Sequence, residues 1–554
     1  MSLPKSSPGA PTAYVDTFAQ DHLPPEDLIA EVDYSGTPEL VAYPNYLNVA
    51  TVLLDDMVAT GFGDNPAVHL GDVTWTYSGL LTRANQIARI LIEDCGMVTG
   101  NRVLIRSPNT PMMVACWFGI LKAGGVCVST MPMLRARELS YVIDKAKVDF
   151  LFCDIDLQEE MAEAADEKGI ADKLFYFKST NADREGATLE AMMAEKEDSF
   201  TNVETAADDV ALIAFTSGTT GNPKAPVHFH RDILQCADTF GRYIATLTPD
   251  DVVTGTPPLA FTFGLGGLLI CPLRFGASCR YLEGPMPEQI LETIQKYKVT
   301  QLYTAPTAYR VLTDLVRDFD ISSLRQCISA GETLPKATFD VFFEATGIKI
   351  IDGLGSTEMF HVFVAAEPAE MRGGFTGKAV PGFMAKVMDD KGKEADPGTP
   401  GMLAVRGPSA CKYLDDPEKQ LVYSKDGWNY PGDVYEMDND GYFKYVARGD
   451  DMIISSGYNI SGPEIEAVLL EHAVVAECAV VASPDPDRGN IVKAFIVLRE
   501  GVYGDAELVT EIQNFIKNEM APYKYPRAVE FINELPKTAT GKVQRFKLRQ
   551  LESG

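Results

Sequence analysis

The stretch Val210-Ala211-Leu212-Ile213-Ala214-Phe215-Thr216-Ser217-Gly218-Thr219-Thr220-Gly221-Asn222-Pro223-Lys224 runs from an apolar segment straight into a loop of hydroxyls, glycines and a lysine. The apolar part has the length and character of a buried strand, so the loop is expected to leave a sheet. The loop suits a phosphate. Glycines let backbone N–H groups approach phosphate oxygens, the hydroxyls add donors, and Lys224 supplies charge where a pyrophosphate must be neutralised. A Walker A loop would place Gly-Lys-Ser/Thr at the opening of a helix. Here Pro223 precedes the lysine and Ala225-Pro226 follow it, so no helix runs straight out. The plainer alternative is a solvated Gly/Thr turn between two strands.

Around this loop, apolar runs such as Val103-Leu104-Ile105 and Phe150-Leu151-Phe152 alternate with helical patterns at 77–93 and 287–297. That rhythm predicts strand–helix–strand units and an α/β fold of helix-covered parallel-type sheets. Over 374–447 it gives way to short segments punctuated by Pro-Gly, Asp-Lys-Gly and Asp-Asn-Asp-Gly, which predict hairpins of a small β unit. Beyond Arg448, helices at 463–471 and 506–520 and strands at 476–482 and 491–498 predict a small α+β domain.

The chain has 554 residues, enough for two or more cores. Its 49 basic and 78 acidic residues leave a net charge of −29, which argues against nucleic-acid or anionic-membrane partners. The ten cysteines are scattered, with no C-x-x-C pair and no zinc spacing, so buried reduced thiols are expected. The start carries no apolar h-region, and the most apolar stretch, 259–273, is broken by glycines and Pro272 and is too short for a bilayer. A soluble cytoplasmic protein, monomer or homodimer, is the expectation.

The loop resembles the nucleotide loop of the adenylate-forming superfamily, which includes acyl-CoA ligases. Further stretches resemble that superfamily's signatures in its own order: Asp352-Gly353-Leu354-Gly355-Ser356-Thr357-Glu358, Tyr430-Pro431-Gly432-Asp433, Arg448-Gly449-Asp450-Asp451-Met452-Ile453 and Pro536-Lys537-Thr538-Ala539-Thr540-Gly541-Lys542. Ala225 departs from the glycine usual after the loop lysine.

The resemblance implies a large N-terminal domain, 1–449, of two sheets plus a small β-barrel subdomain at about 374–447. A mobile C-terminal lid, 450–554, would turn on a hinge at Asp450. It implies ATP, Mg²⁺ and coenzyme A as cofactor and substrates. Thr216, Ser217, Gly218, Thr219, Thr220, Lys224, Gly331, Glu332, Asp352, Gly353, Asp433 and Arg448 would then hold the nucleotide. Lys542 would bridge the carboxylate and the α-phosphate, Thr357 would donate to that phosphate, and Glu358 would hold Mg²⁺. Ser455, Ser456, Gly457 and Tyr458 would meet coenzyme A.

Within the superfamily the chain resembles the benzoate-CoA and 2-aminobenzoate-CoA ligases, through the segments 257–267 and 355–361, Ala305-Pro306-Thr307-Ala308-Tyr309-Arg310 and 521–527. Carried over, Thr262, Phe263, Gly331, Gly355 and His361 would line a flat slot suited to a planar ring. Thr262, where a benzoate pocket can have alanine, favours a polar ring substituent. The alternatives are an enzyme passing an aryl or small aliphatic acyl group to a carrier protein, an aliphatic acyl-CoA ligase, and a nucleotide-binding regulator without catalysis. For Phe261 and Phe263 plain core packing is an equal alternative, and His361 also suits a core histidine. His228-Phe229-His230 is read as structural.

Overall fold

The computed structural model describes residues 10–178, 186, 188–216, 223–282, 284, 286–449, 451–455, 458–485, 489–520, 524–538 and 541–553. In a first large sheet, the strands Pro66–Leu70, Ser278–Tyr281, Val252–Gly255, Gln301–Thr304, Gln326–Ala330 and Ile350–Gly355 are neighbours and all parallel. Antiparallel Val73–Thr76 finishes one edge, and Val362–Ala365 with Lys378–Ala379 the other. A second sheet orders Leu174–Phe177, Phe150–Asp154, Arg102–Arg106, Val126–Thr130 and Val210–Ile213 in parallel, then adds antiparallel Val227–Phe229. Strands covered on both faces need apolar residues at every position. Arg102–Arg106, Phe150–Asp154 and Val210–Ile213 are accordingly buried throughout.

The helix Pro111–Lys122 joins the two sheets. Every residue of it is buried, and it packs on the helix Tyr77–Arg89 and on strands of both sheets. An all-apolar helix belongs between layers. Thr110 accepts from the Met113 amide at 3.2 Å and Pro111 takes the first turn, which starts the helix where the Arg102–Arg106 strand ends. At its far end the buried Lys122 ammonium lies 2.6 Å from both oxygens of Asp55.

The small β unit is an open sheet. Strands Met384–Met388, Gly401–Arg406, Ser424–Lys425, Trp428–Asn429, Asp433–Met437 and Phe443–Arg448 pair antiparallel. The expected barrel is corrected here: among the described residues Met384–Met388 pairs as a strand with Gly401–Arg406 and does not reach Phe443–Arg448, so no ring closes. The Phe443 edge instead bonds to the backbone of 376–377, next to the first sheet. A short helix, Pro417–Tyr423, capped by Asp416, interrupts the unit and was not expected from the sequence.

The tail is a separate α+β domain. A hairpin of Ile453–Ser455 and Tyr458–Ile460 leads into the helix Gly462–Leu469. Strand Gly489–Leu498 pairs antiparallel with Val475–Asp485 and parallel with Ala528–Phe531, and the helices Ala506–Glu519 and Arg545–Ser553 complete it. Ile453, Ile465, Val480, Ile496, Ile512 and Ile516 form a core of its own. The first strand carries a bulge: Val475 faces Leu498 and Glu477 faces Val497, leaving Ala476 between them. All ten cysteines are free thiols, nine of them buried. No described helix is long and apolar enough to cross a membrane.

Burial also fixes the charge of several histidines. It pulls the pKa of His69 to about 4, with Arg280 adding to the effect, and that of His228 to about 4, His230 to about 3 and His361 to about 4. Each is neutral in the fold but takes a proton below about 6.5 once unfolded, so each costs stability at ~1.4 kcal/mol per pH unit as pH falls from 6.5 towards 4. Asp352 acts with the opposite sign. Burial raises its pKa to about 7, so the fold gains as it protonates below 7, offsetting one histidine. Urea unfolding across pH 7.5 to 4.5 should therefore show stability falling on the acid side, and His230→Asn should flatten that fall.

Candidate functional site

Parallel strands deliver their C-terminal ends to one side of a sheet. Val252–Gly255 and Gln301–Thr304 are neighbours, yet the chain between them detours through Ser278–Tyr281 on the far side of Val252–Gly255. Such a switch point opens a crevice at the strand ends. The Thr256 and Thr304 hydroxyls meet across it at 2.7 Å.

Beside the crevice, Thr262 opens a buried helix that runs on as a wider turn through Gly266–Ile270. The Phe263 ring stands 6.1 Å from Tyr303 and 5.8 Å from His361, and Phe240 stands 5.0 Å from His361 on another side. Two glycines admit this packing. A Cβ on Gly266 would lie 2.2 Å from His361 Cδ2, and one on Gly355 would lie 2.6 Å from the His361 carbonyl oxygen. Phe263, Gly266 and Gly355 thus pack around His361, and Thr262 opens the helix that carries two of them. His361 is 3% exposed, neither ring nitrogen has a hydrogen-bond partner of normal geometry, and burial keeps the ring neutral.

The turn 356–361 links this packing to the phosphate loop. The Met359 amide donates to Ser356 Oγ at 3.2 Å and the Phe360 amide to the Thr357 carbonyl at 3.1 Å, while Phe360 takes a φ of +74°. That left-handed residue is costly for a phenylalanine. It turns Glu358 towards the loop and His361 towards the slot. Glu358 is buried, and its Oε1 accepts from the Tyr413 hydroxyl at 2.6 Å and lies 3.9 Å from Lys224 Nζ. Lys224 also donates to the Tyr413 hydroxyl at 3.3 Å. Burial, followed by the Glu358 charge, drives the phenol pKa far up, so Tyr413 keeps its proton.

The exit from the loop is ordered by the same neighbour. Thr216 donates its amide to Lys224 at 3.0 Å, the Leu414 amide bonds to the Ala225 carbonyl and the Val227 amide to the Lys412 carbonyl. Ala225 is buried on this path. Lys412 itself is buried against Asp232 at 2.7 Å. Ser217, Gly218, Thr219 and Thr220 lie outside the described residues.

Further round, the buried Asp352 accepts from Thr376 at 3.2 Å. Gly353 runs tightly along Val362, where a Cβ would lie 3.0 Å from Cγ2. Asp433 is buried and accepts at 3.0 Å from Arg448, its cross-strand partner, which also donates to the Pro431 carbonyl.

From the tail, Lys542 reaches into the same cleft. It ends a hairpin in which the Thr538 amide bonds to the Lys542 carbonyl at 2.7 Å. Its Cε lies 3.8 Å from the point a Cβ on Gly331 would occupy, and Gly331 has a φ of +87°. A side chain there would be strained by that backbone conformation and would touch the lysine. Lys542 keeps contact with solvent through the open cleft, but the surrounding walls desolvate its ammonium and lower its pKa. Glu332 is the chief opposing charge, and Arg448, Asp433 and Glu358 also act on it. Glu332 in turn is raised by burial and lowered by Lys542. Those charges therefore share one cleft.

Ser455 is buried in its hairpin. Asp450, Ser456 and Gly457 lie outside the described residues, as does the side chain of Tyr458. The partners Tyr413 and Thr376, and Tyr423, whose hydroxyl meets Ser356 Oγ at 2.8 Å, were not foreseen. Tyr413 is 55 residues from Glu358 and nothing local marks it. No cluster of three or more metal-binding side chains exists among the described residues, and His228 and His230 are core residues.

Known proteins share this arrangement. The profile for AMP-binding enzyme matches residues 56–413, and that for AMP-binding enzyme C-terminal domain matches 464–542. The chain is 33% identical to a benzoate–CoA ligase of Thauera aromatica, over 94% of this chain and 99% of that protein. It is 35% identical to a mitochondrial acyl-coenzyme A synthetase of Mus musculus, over 92% of each. The crystal structure of an anthranilate CoA ligase in complex with anthranoyl-AMP superposes with a TM-score of 0.87 at 32% identity, covering 93% of this chain and 98% of that one. The chain belongs to the AMP-binding enzyme family, among its adenylate-forming acyl-CoA ligases.

Proposed function

We propose that this enzyme joins an aromatic carboxylate, 2-aminobenzoate or benzoate, to coenzyme A through an acyl-adenylate, releasing AMP and diphosphate. The observation that carries this reading is the Lys542 side chain lying against Gly331, together with the packing of Phe263 and Gly355 on His361. The relatives that act on benzoate and anthranilate support the acid class. A flat, largely apolar slot with a neutral imidazole suits a planar ring, and the buried Thr262 hydroxyl suits a polar substituent.

The chemistry follows from charge. A carboxylate oxygen attacks the α-phosphorus of ATP and diphosphate leaves, so two anions must be brought together. Lys542 holds the carboxylate and the α-phosphate, while Lys224 and the loop 216–224 hold the departing phosphates, which sets positive charge where negative charge gathers. Arg448 and Asp433 take the ribose, and Asp352, Gly353, Gly331 and Glu332 border the base. Thr357 donates to the α-phosphate. Glu358 would hold Mg²⁺, which supplies positive charge to the phosphates when bound. Its lone buried carboxylate, steadied by Tyr413, fits an ion that keeps most of its ligands as phosphate and water oxygens.

In the second step the coenzyme A sulfur attacks the acyl carbon and AMP leaves. We place the domain boundary at 449/450, with Asp450 as the hinge that withdraws Lys542 and presents the hairpin carrying Ser455 and Tyr458 to the thiol. Lys542→Ala should then slow acyl-AMP formation by ~100-fold or more while sparing thioester formation from supplied acyl-AMP. Asp450→Pro should do the reverse. Quenched-flow assays of the two half-reactions separate them, and equal losses in both would overturn these roles.

AMP release with ATP, Mg²⁺ and coenzyme A across benzoate, 2-aminobenzoate, hydroxybenzoates and short aliphatic acids tests the substrate class. Highest kcat/KM on 2-aminobenzoate or benzoate is expected, and Thr262→Ala should lower the preference for 2-aminobenzoate. Turnover confined to aliphatic acids would overturn the aryl slot and leave the two-step chemistry intact.

A further inference from the structure

Lys542 occupies the cleft only while the tail domain sits as it does here, and side chains that reach across between the two parts hold it there. One of them is Arg310, half-buried on the helix Pro306–Leu315, which begins directly beyond the strand end at Thr304. Its guanidinium crosses to the tail and donates to the Ala476 carbonyl at 2.8 Å and the Val475 carbonyl at 3.3 Å. The bulge explains why those carbonyls are presented to it. Ala476 is the extra residue between the Val475 and Glu477 pairings, so its peptide is turned out of the ladder.

The contact is wired to the catalytic lysine by short steps. Glu477, next to the bulge, pairs with Lys537 at 2.7 Å. Lys537 faces Val543 across the hairpin that carries Lys542. Lys542 then meets Gly331 and Glu332, which follow the strand Gln326–Ala330, the immediate neighbour of Gln301–Thr304. Arg310 therefore stands on the helix that follows one strand, and Gly331 at the exit of the strand beside it. Fixing the bulge against the first brings the hairpin against the second.

We propose that Arg310 is a positioning residue that latches the tail domain in the orientation placing Lys542 in the cleft, and so favours adenylation over thioester formation. The inference rests on the acyl-adenylate reading for its kinetic part only. An arginine is needed because its planar fork serves two successive carbonyls at once, which a lysine's single ammonium centre does less well. Hydrogen bonds from a charged donor to two carbonyls are strong enough to shift a two-state orientation by about tenfold.

The test uses full-length protein with Arg310→Ala and Arg310→Lys. Arg310→Ala is expected to cut the rate constant for acyl-AMP formation ~10-fold with little change in KM for ATP or acid, and to leave thioester formation from supplied acyl-AMP unchanged or faster. Arg310→Lys should recover part of the loss. A second readout needs no substrate: spin labels at Val341→Cys and Tyr503→Cys, exposed sites on the two domains, in a Cys95→Ser background. The inter-label distances should shift or broaden in Arg310→Ala. Unchanged distances, or equal losses in both half-reactions, would overturn the latch. If the wild-type protein activates no acid at all, the functional reading fails, while the distances still decide the role of Arg310.

Discussion

The site depends on one reversal of the chain at 356–361. Phe360 is held in a left-handed backbone conformation that a bulky residue adopts only under surrounding constraint. That constraint is visible: the ring is fully buried against His228, and Gly355 leaves room for the returning backbone at His361. Because the turn is so short, Glu358 and His361 cannot move independently. Glu358, which faces Lys224, and His361, which packs against Phe263, are two ends of the same rigid piece, so their two surroundings are held in register by backbone geometry.

Charge is managed locally within an acidic chain. With a net charge of −29, polyanionic ligands are repelled at long range, and attraction must come from a few cations in a concave site. Lys224, Arg448 and Lys542 are each set opposite a carboxylate, Glu358, Asp433 and Glu332 respectively. Asp433 holds Arg448 by a direct hydrogen bond, and all three carboxylates lessen the cost of crowding like charges.

Much of this was legible in the sequence, for physical reasons. Buried parallel strands need unbroken apolar runs, so 103–105, 150–152 and 210–213 stood out. The phosphate loop announced itself through glycines and hydroxyls beside Lys224, and the tail through its own alternation of helix and strand. What escaped was anything depending on distant partners. Tyr413 and Thr376 carry no local pattern, and their importance exists only once strands far apart in sequence are adjacent. The open form of the small sheet escaped likewise, since hairpin signals fix neighbours but not whether the last strand meets the first. The helix Pro417–Tyr423 escaped because its seven residues lie within a run of turn signals.

The helix Pro111–Lys122 has a further consequence. Packed on both large sheets, it joins their facing sides in one apolar interior, while the far side of the second sheet and the tail have cores of their own. Severed near the boundary, the larger part of the chain would keep its own cores but lose Lys542, the ammonium that the tail sets beside Gly331.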